Sequence, residues 1–87
     1  MSSLQDRFAQ AQLDVNSLSN RPDNDTMLKL YALYKQATKG DVAGERPGGF
    51  DFVGAAKFDA WSEVNGTSAN DAMQQYIDLV GSLRLKT

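Results

Sequence analysis

Apolar residues fall at Leu4, Phe8, Ala11, Val15 and Leu18, at steps of four, three, four and three. Those steps keep them on one face of a helix, with Asp6, Gln10 and Asp14 among the residues of its polar side. This first amphipathic helix is expected to end by Ser19-Asn20-Arg21-Pro22, because proline lacks the amide that would continue the ladder. Asp23, Asn24 and Asp25 then supply an N-cap and two negative charges where the orphan amides of a new helix favour them. Met27, Leu28, Leu30, Tyr31, Leu33, Tyr34 and Ala37 make the wide apolar stripe of this second helix. Lys39-Gly40 closes it, with a cation in the last turn and glycine at the C-terminal cap.

The stretch from Gly40 to Gly54, GDVAGERPGGFDFVG, holds five of the seven glycines and one of the two prolines. No regular element is expected there. Long connections of this kind are usually packed by their own side chains, and Val42, Phe50, Phe52 and Val53 are candidates to anchor an ordered loop. A short third helix follows from Ala55, Ala56, Phe58, Ala60, Trp61 and Val64, and Asn65-Gly66 ends it. Thr67 or Ser68 caps a fourth, with Asn70 and Asp71 each three residues further on. Its apolar face is Ala72, Met73, Tyr76, Ile77, Leu79, Val80 and Leu83. With no β-branched alternation, the chain reads as all-α, four helices in one domain over residues 1–87.

Composition narrows the chemistry. Eighty-seven residues suffice for a single core, and accessible-area scaling gives roughly 5,000 Å² when folded. The absence of cysteine removes disulfides and thiolate catalysis, and the absence of histidine removes zinc fingers, His-dependent triads and imidazole bases. No metal site or catalytic residue is expected. A formal charge of −2 argues against nonspecific nucleic-acid binding. No apolar run approaches the roughly 18 residues of a membrane span, and the first residues have neither the basic nor the apolar region of a secretion signal. A cytoplasmic monomer with no stable membrane insertion is the expectation.

The most informative cluster is Tyr31, Tyr34 and Lys35, related by i, i+3 and i, i+4 on the second helix. Aromatic faces offer stacking to a planar base and the ammonium a charge-assisted hydrogen bond to phosphate. The pattern alone is better explained by half-buried core tyrosines beside a solvated lysine, Tyr76 likewise reads first as a core tyrosine, and Lys57 in Ala56-Lys57-Phe58 fits either reading. Six of the nine basic residues lie between positions 21 and 57 against five acidic ones, a weak positive bias. Asp59 and Glu63 are i, i+4 carboxylates, better explained as a solvated face than as an acid/base pair. Gly44-Glu45-Arg46-Pro47-Gly48-Gly49 lacks the lysine and hydroxyl residue of a P-loop.

Tyr31-Ala32-Leu33-Tyr34-Lys35-Gln36-Ala37-Thr38-Lys39-Gly40-Asp41 and then Gly44-Glu45-Arg46-Pro47-Gly48 resemble the acyl-CoA-binding protein family. Asp51 to Trp61 and Gly66 to Ile77 are similar to its two later signature blocks in the same order and spacing, so the resemblance covers about Phe8 to about Leu83. It implies an up-down-down-up four-helix bundle with a long connection between helices two and three. It also implies noncatalytic binding, pooling and transport of medium- and long-chain acyl-CoA, with no cofactor. The family holds the nucleotide 3′-phosphate with a lysine and tyrosines, positions that read here as Tyr31, Tyr34, Lys35, Lys57 and Tyr76, with Met27 and Leu28 near the acyl groove. The chain departs from many members at Asn16, Val53 and Ala55, where they carry lysine, and at Phe58, where tryptophan is common. Asn16 hydrogen-bonds but does not pair charge. The rival reading is a helical protein-interaction module gripping a partner through Tyr31 and Tyr34. A thioesterase would need a nucleophile or water-activating group that these residues do not offer convincingly.

Overall fold

The computed structural model describes residues 2–85. Four helices follow one another, α1 (Leu4–Asn16), α2 (Asn24–Lys39), α3 (Phe52–Glu63) and α4 (Ala69–Leu85), and no strand occurs among the described residues. Local chemistry sets the starts. Ser3 and Asp6 form a reciprocal capping box, the Asp6 amide donating to Ser3 Oγ at 3.1 Å. Asp23 caps α2 through the Thr26 amide at 2.7 Å, and Ser68 receives the Asp71 amide at 3.0 Å at the start of α4. Gly40 ends α2 at φ 82°, a left-handed angle that glycine adopts without steric cost.

Two boundaries differ from the sequence expectation. Pro22 does not end α1; the helix stops at Asn16, where the Ser17 amide turns back to the Asp14 carbonyl and the Ser17 hydroxyl donates to the Leu13 carbonyl. In the second case, α3 begins at Phe52, inside the stretch expected to be loop. The Asp51 carboxylate accepts the Gly54 amide at 2.9 Å, which satisfies a first-turn donor and fixes the turn despite its glycine.

Phe8 and Ala11 of α1, Leu30, Leu33 and Ala37 of α2, and Ala72, Tyr76 and Val80 of α4 form the buried cluster. Helix α2 is central, with α4 packed on one side and α3 on the other, while α1 packs against α4. Arg84 Nη1 reaches Asp14 Oδ2 at 3.2 Å, joining the C-terminal ends of α4 and α1, so these helices are parallel. The Gln36 amide, late in α2, donates to the Thr67 carbonyl just before α4, so α2 and α4 are antiparallel. The arrangement is up-down-down-up. The molecule measures 44 × 28 × 15 Å, and its 5,784 Å² of accessible surface exceeds the roughly 5,000 Å² of a rounder chain of this mass. Flatness leaves the seam between α2 and α3 open to solvent on both faces.

Polar bonds, not the expected apolar anchors, hold the long connection. Val42 is half-buried, but Phe50, Phe52 and Val53 are 93%, 73% and 67% exposed. The Trp61 indole donates to the Gly40 carbonyl at 2.8 Å, the Val42 amide to Asn65 Oδ1 at 3.2 Å, and Arg46 grips both oxygens of Asp59 at 2.8 and 2.9 Å. Once Asp51 starts α3, Phe52 and Val53 belong to its first turn, beyond the reach of the core on the far side of α2.

Candidate ligand site

Helices α2 and α3 run side by side in the same direction, so residues one turn apart on each line a continuous trough. Met27, Leu28 and Tyr31 come from α2, and Phe52, Val53, Ala56 and Lys57 from α3; Arg21 and Asn24 close one end. Ala56, whose side chain ends at Cβ, leaves the space between the two helices unfilled. The hollow has a volume of about 620 Å³, within the roughly 300–1,000 Å³ of small-molecule sites. Its lining is largely hydrocarbon and aromatic and contains two cations and no carboxylate.

Beside it stands a run of cations on aromatic faces. Lys57 Nζ is 5.2 Å from the centre of the Tyr31 ring, while Lys35 Nζ lies 5.9 Å from Tyr31 and 5.4 Å from Trp61. Among the described residues neither ammonium makes an ion pair. Their charge is therefore left for another anion.

The remaining sequence candidates are placed differently. Tyr34, 40% exposed, stacks on Phe8 of α1 with ring centres 6.1 Å apart, so Tyr31 packs toward α3 and Tyr34 toward α1. Tyr76 is only 5% exposed and meets Phe8 edge-on at 5.1 Å, inside the core and away from the hollow. Burial, and secondarily the neighbouring Tyr34 phenol, raise its pKa above the usual value. Asp59 is committed to Arg46, whose hydrogen bonds and charge hold its carboxyl below the ordinary range. It is an anion at neutral pH and not a proton donor. On the opposite face of the α2–α3 seam a hollow of about 540 Å³ is lined by Asp25, Asp59 and Glu63 against Lys29, a charge balance that repels phosphate.

The sequence marks none of Arg21, Asn24, Ala56 and Trp61 as a site residue, and it puts Phe52 and Val53 in the loop. The i, i+4 pairs Phe52/Ala56 and Val53/Lys57 were the available signal, hidden by the glycines around them.

The family model described as "Acyl CoA binding protein" matches residues 5–80. The chain belongs to the acyl-CoA-binding protein family. Acyl-CoA-binding protein homolog 1 of Caenorhabditis elegans is 46% identical over 79 residues, covering 91% of this chain and 92% of that protein. Enoyl-CoA delta isomerase 2 of Rattus norvegicus is 46% identical over 83 residues, 95% of this chain, but the chain spans only 21% of that protein's length. The similarity to the isomerase thus concerns one segment of it. Among solved structures, acyl-CoA-binding protein 2 of Oryza sativa superposes with a TM-score of 0.91 at 39% identity, over 97% of this chain and 93% of the other. Members of the acyl-CoA-binding protein family thus share the four-helix bundle seen here over almost its whole length.

Proposed function

We propose that residues 1–87 form one acyl-CoA-binding unit that takes up medium- and long-chain acyl-CoA thioesters at the α2–α3 trough and carries them as a cytoplasmic monomer, without chemistry and without a cofactor. The observation that carries this reading is the trough itself, an apolar hollow lined by Arg21 and Lys57 and by no carboxylate, with Lys35 beside it and neither lysine in an ion pair among the described residues. Met27, Leu28, Phe52, Val53 and Ala56 shield the acyl chain. Tyr31 offers its ring to the adenine, and Lys35 takes the 3′-phosphate with Lys57 beside it. The roles of Tyr34 and Tyr76 are confined to their hydroxyl edges, since both rings pack on Phe8. Family membership and the similarity to proteins named for acyl-CoA binding support the same reading.

Burying about 14 methylenes is worth on the order of 11 kcal/mol before association costs. Each charge-assisted phosphate contact adds roughly 1.5 to 3 kcal/mol, less where water screens it. The tail thus supplies most of the affinity, and the head supplies identity. Calorimetric titration with palmitoyl-CoA and with palmitate, thioester absorbance being followed in parallel, tests the proposal. Tight binding of the thioester alone at constant absorbance is expected. Equal affinity for palmitate, or decay of the absorbance, overturns it.

A further inference from the structure

Trp61 does not line the trough, yet its ring is fixed beside it from two directions. Its Nε1–H donates to the Gly40 carbonyl at 2.8 Å and to Gln36 Oε1 at 3.2 Å. Gln36, 1% exposed, is itself held: its Nε2 donates to Asp41 Oδ1 at 2.7 Å and to the Thr67 carbonyl at 2.8 Å. The Gly66 amide reaches the same Asp41 oxygen at 2.8 Å, and these donors keep the Asp41 carboxyl below its ordinary range, a steady acceptor at neutral pH. The indole plane is therefore set by a network that joins α2, the long connection and the turn before α4.

Lys35 Nζ stands over that indole, with the Tyr31 ring as its second aromatic neighbour. A lysine side chain has a wide choice of rotamers, and holding one of them costs entropy that a ligand must otherwise supply on binding. Cation–π attraction narrows the choice beforehand. A carboxylate in the same place would also fix the ammonium, but it would cancel the charge that an anionic ligand needs. An aromatic face leaves both the charge and the three donors available.

We propose that Trp61 is a positioning residue: anchored by Gln36 and the Gly40 carbonyl, its ring holds the Lys35 ammonium ready for the phosphate of the ligand. This rests on the assignment of Lys35 to the 3′-phosphate made above. The test is calorimetry with palmitoyl-CoA and its 3′-dephospho analogue on wild type, Trp61→Leu, Trp61→Phe, Lys35→Ala and the Trp61→Leu/Lys35→Ala double variant. Trp61→Leu should weaken palmitoyl-CoA binding about two- to fivefold, the range of a surface cation–π contact, and change the dephospho analogue far less. Trp61→Phe, which keeps a ring but loses the Nε1–H anchor, should fall between wild type and Trp61→Leu in its preference for the 3′-phosphate. In the Lys35→Ala background the leucine substitution should add nothing to that preference. An equal loss for both ligands marks Trp61 as merely structural and overturns the proposal. Should Trp61→Leu not fold, the ε-methylene protons of Lys35 in the unligated wild type decide. An upfield ring-current shift that shrinks in Trp61→Phe supports the proposal, and its absence overturns it. If Lys35→Ala itself keeps the full preference for the 3′-phosphate, the assignment of Lys35 fails and the positioning role falls with it. If only Trp61→Leu keeps the preference, the positioning role alone falls.

Discussion

In the proposed reading Lys35 is the residue on which recognition turns: it is half-buried, makes no ion pair among the described residues, and its ammonium lies over two rings. Lys35→Ala is expected to cost roughly 1.5 to 3 kcal/mol of palmitoyl-CoA affinity and much less for the dephospho analogue, where that bond is already missing. Calorimetry on both ligands, with thermal unfolding as a check of the fold, measures the difference. Tyr76 also bears on stability, being buried in the core against Phe8. Its phenol has a folded-state pKa raised above the ordinary 10.0, so its contribution is present in full below about pH 10 and is lost as pH rises through the folded value. Urea midpoints should therefore fall as pH rises above about 10 in wild type, and Tyr76→Phe should flatten that part of the profile.

At the scale of the element, the start of α3 depends on a pair of residues. A Cβ placed on Gly54 would collide with the Asp51 carboxylate that caps the helix, so Gly54→Ala forces the cap aside. The loss of a cap, about 0.5–2 kcal/mol, then offsets the roughly 0.8–1 kcal/mol that alanine gains over glycine within a helix. In wild type the net effect should lie between about 0.5 kcal/mol stabilising and about 1.2 kcal/mol destabilising, always less favourable than in an Asp51→Ala background, where it should stabilise by up to about 1 kcal/mol. Urea denaturation of the four proteins gives the sign directly. This interplay also explains why α3 was the least legible helix in the sequence. Ser3, Asp23 and Ser68 stand before clear helical periodicity, whereas Asp51 precedes Phe52-Val53-Gly54, whose composition reads as loop.

For the whole molecule, ligand binding should appear as added stability, because a ligand that binds only the folded chain shifts the unfolding equilibrium by mass action. At 100 times the dissociation constant the gain is about 2.7 kcal/mol, which for a domain of this size raises Tm by roughly 10–20 °C. Thermal unfolding with palmitoyl-CoA should show that rise, and palmitate at the same concentration should not. By itself the sequence determined the number of helices, the cap and stop of α2, the core face of α4, and the signature blocks that mark the family. Those features are written in residues three and four apart, or in caps adjacent to what they cap. Only the tertiary structure decided that α3 sits outboard of α2, and that Tyr31 faces α3 while Tyr34 and Tyr76 close on Phe8. It also placed Trp61 under Lys35, twenty-six positions earlier in the chain. Periodicity specifies which face of a helix is apolar, but not which neighbour will cover it; that choice depends on packing between elements distant in the chain.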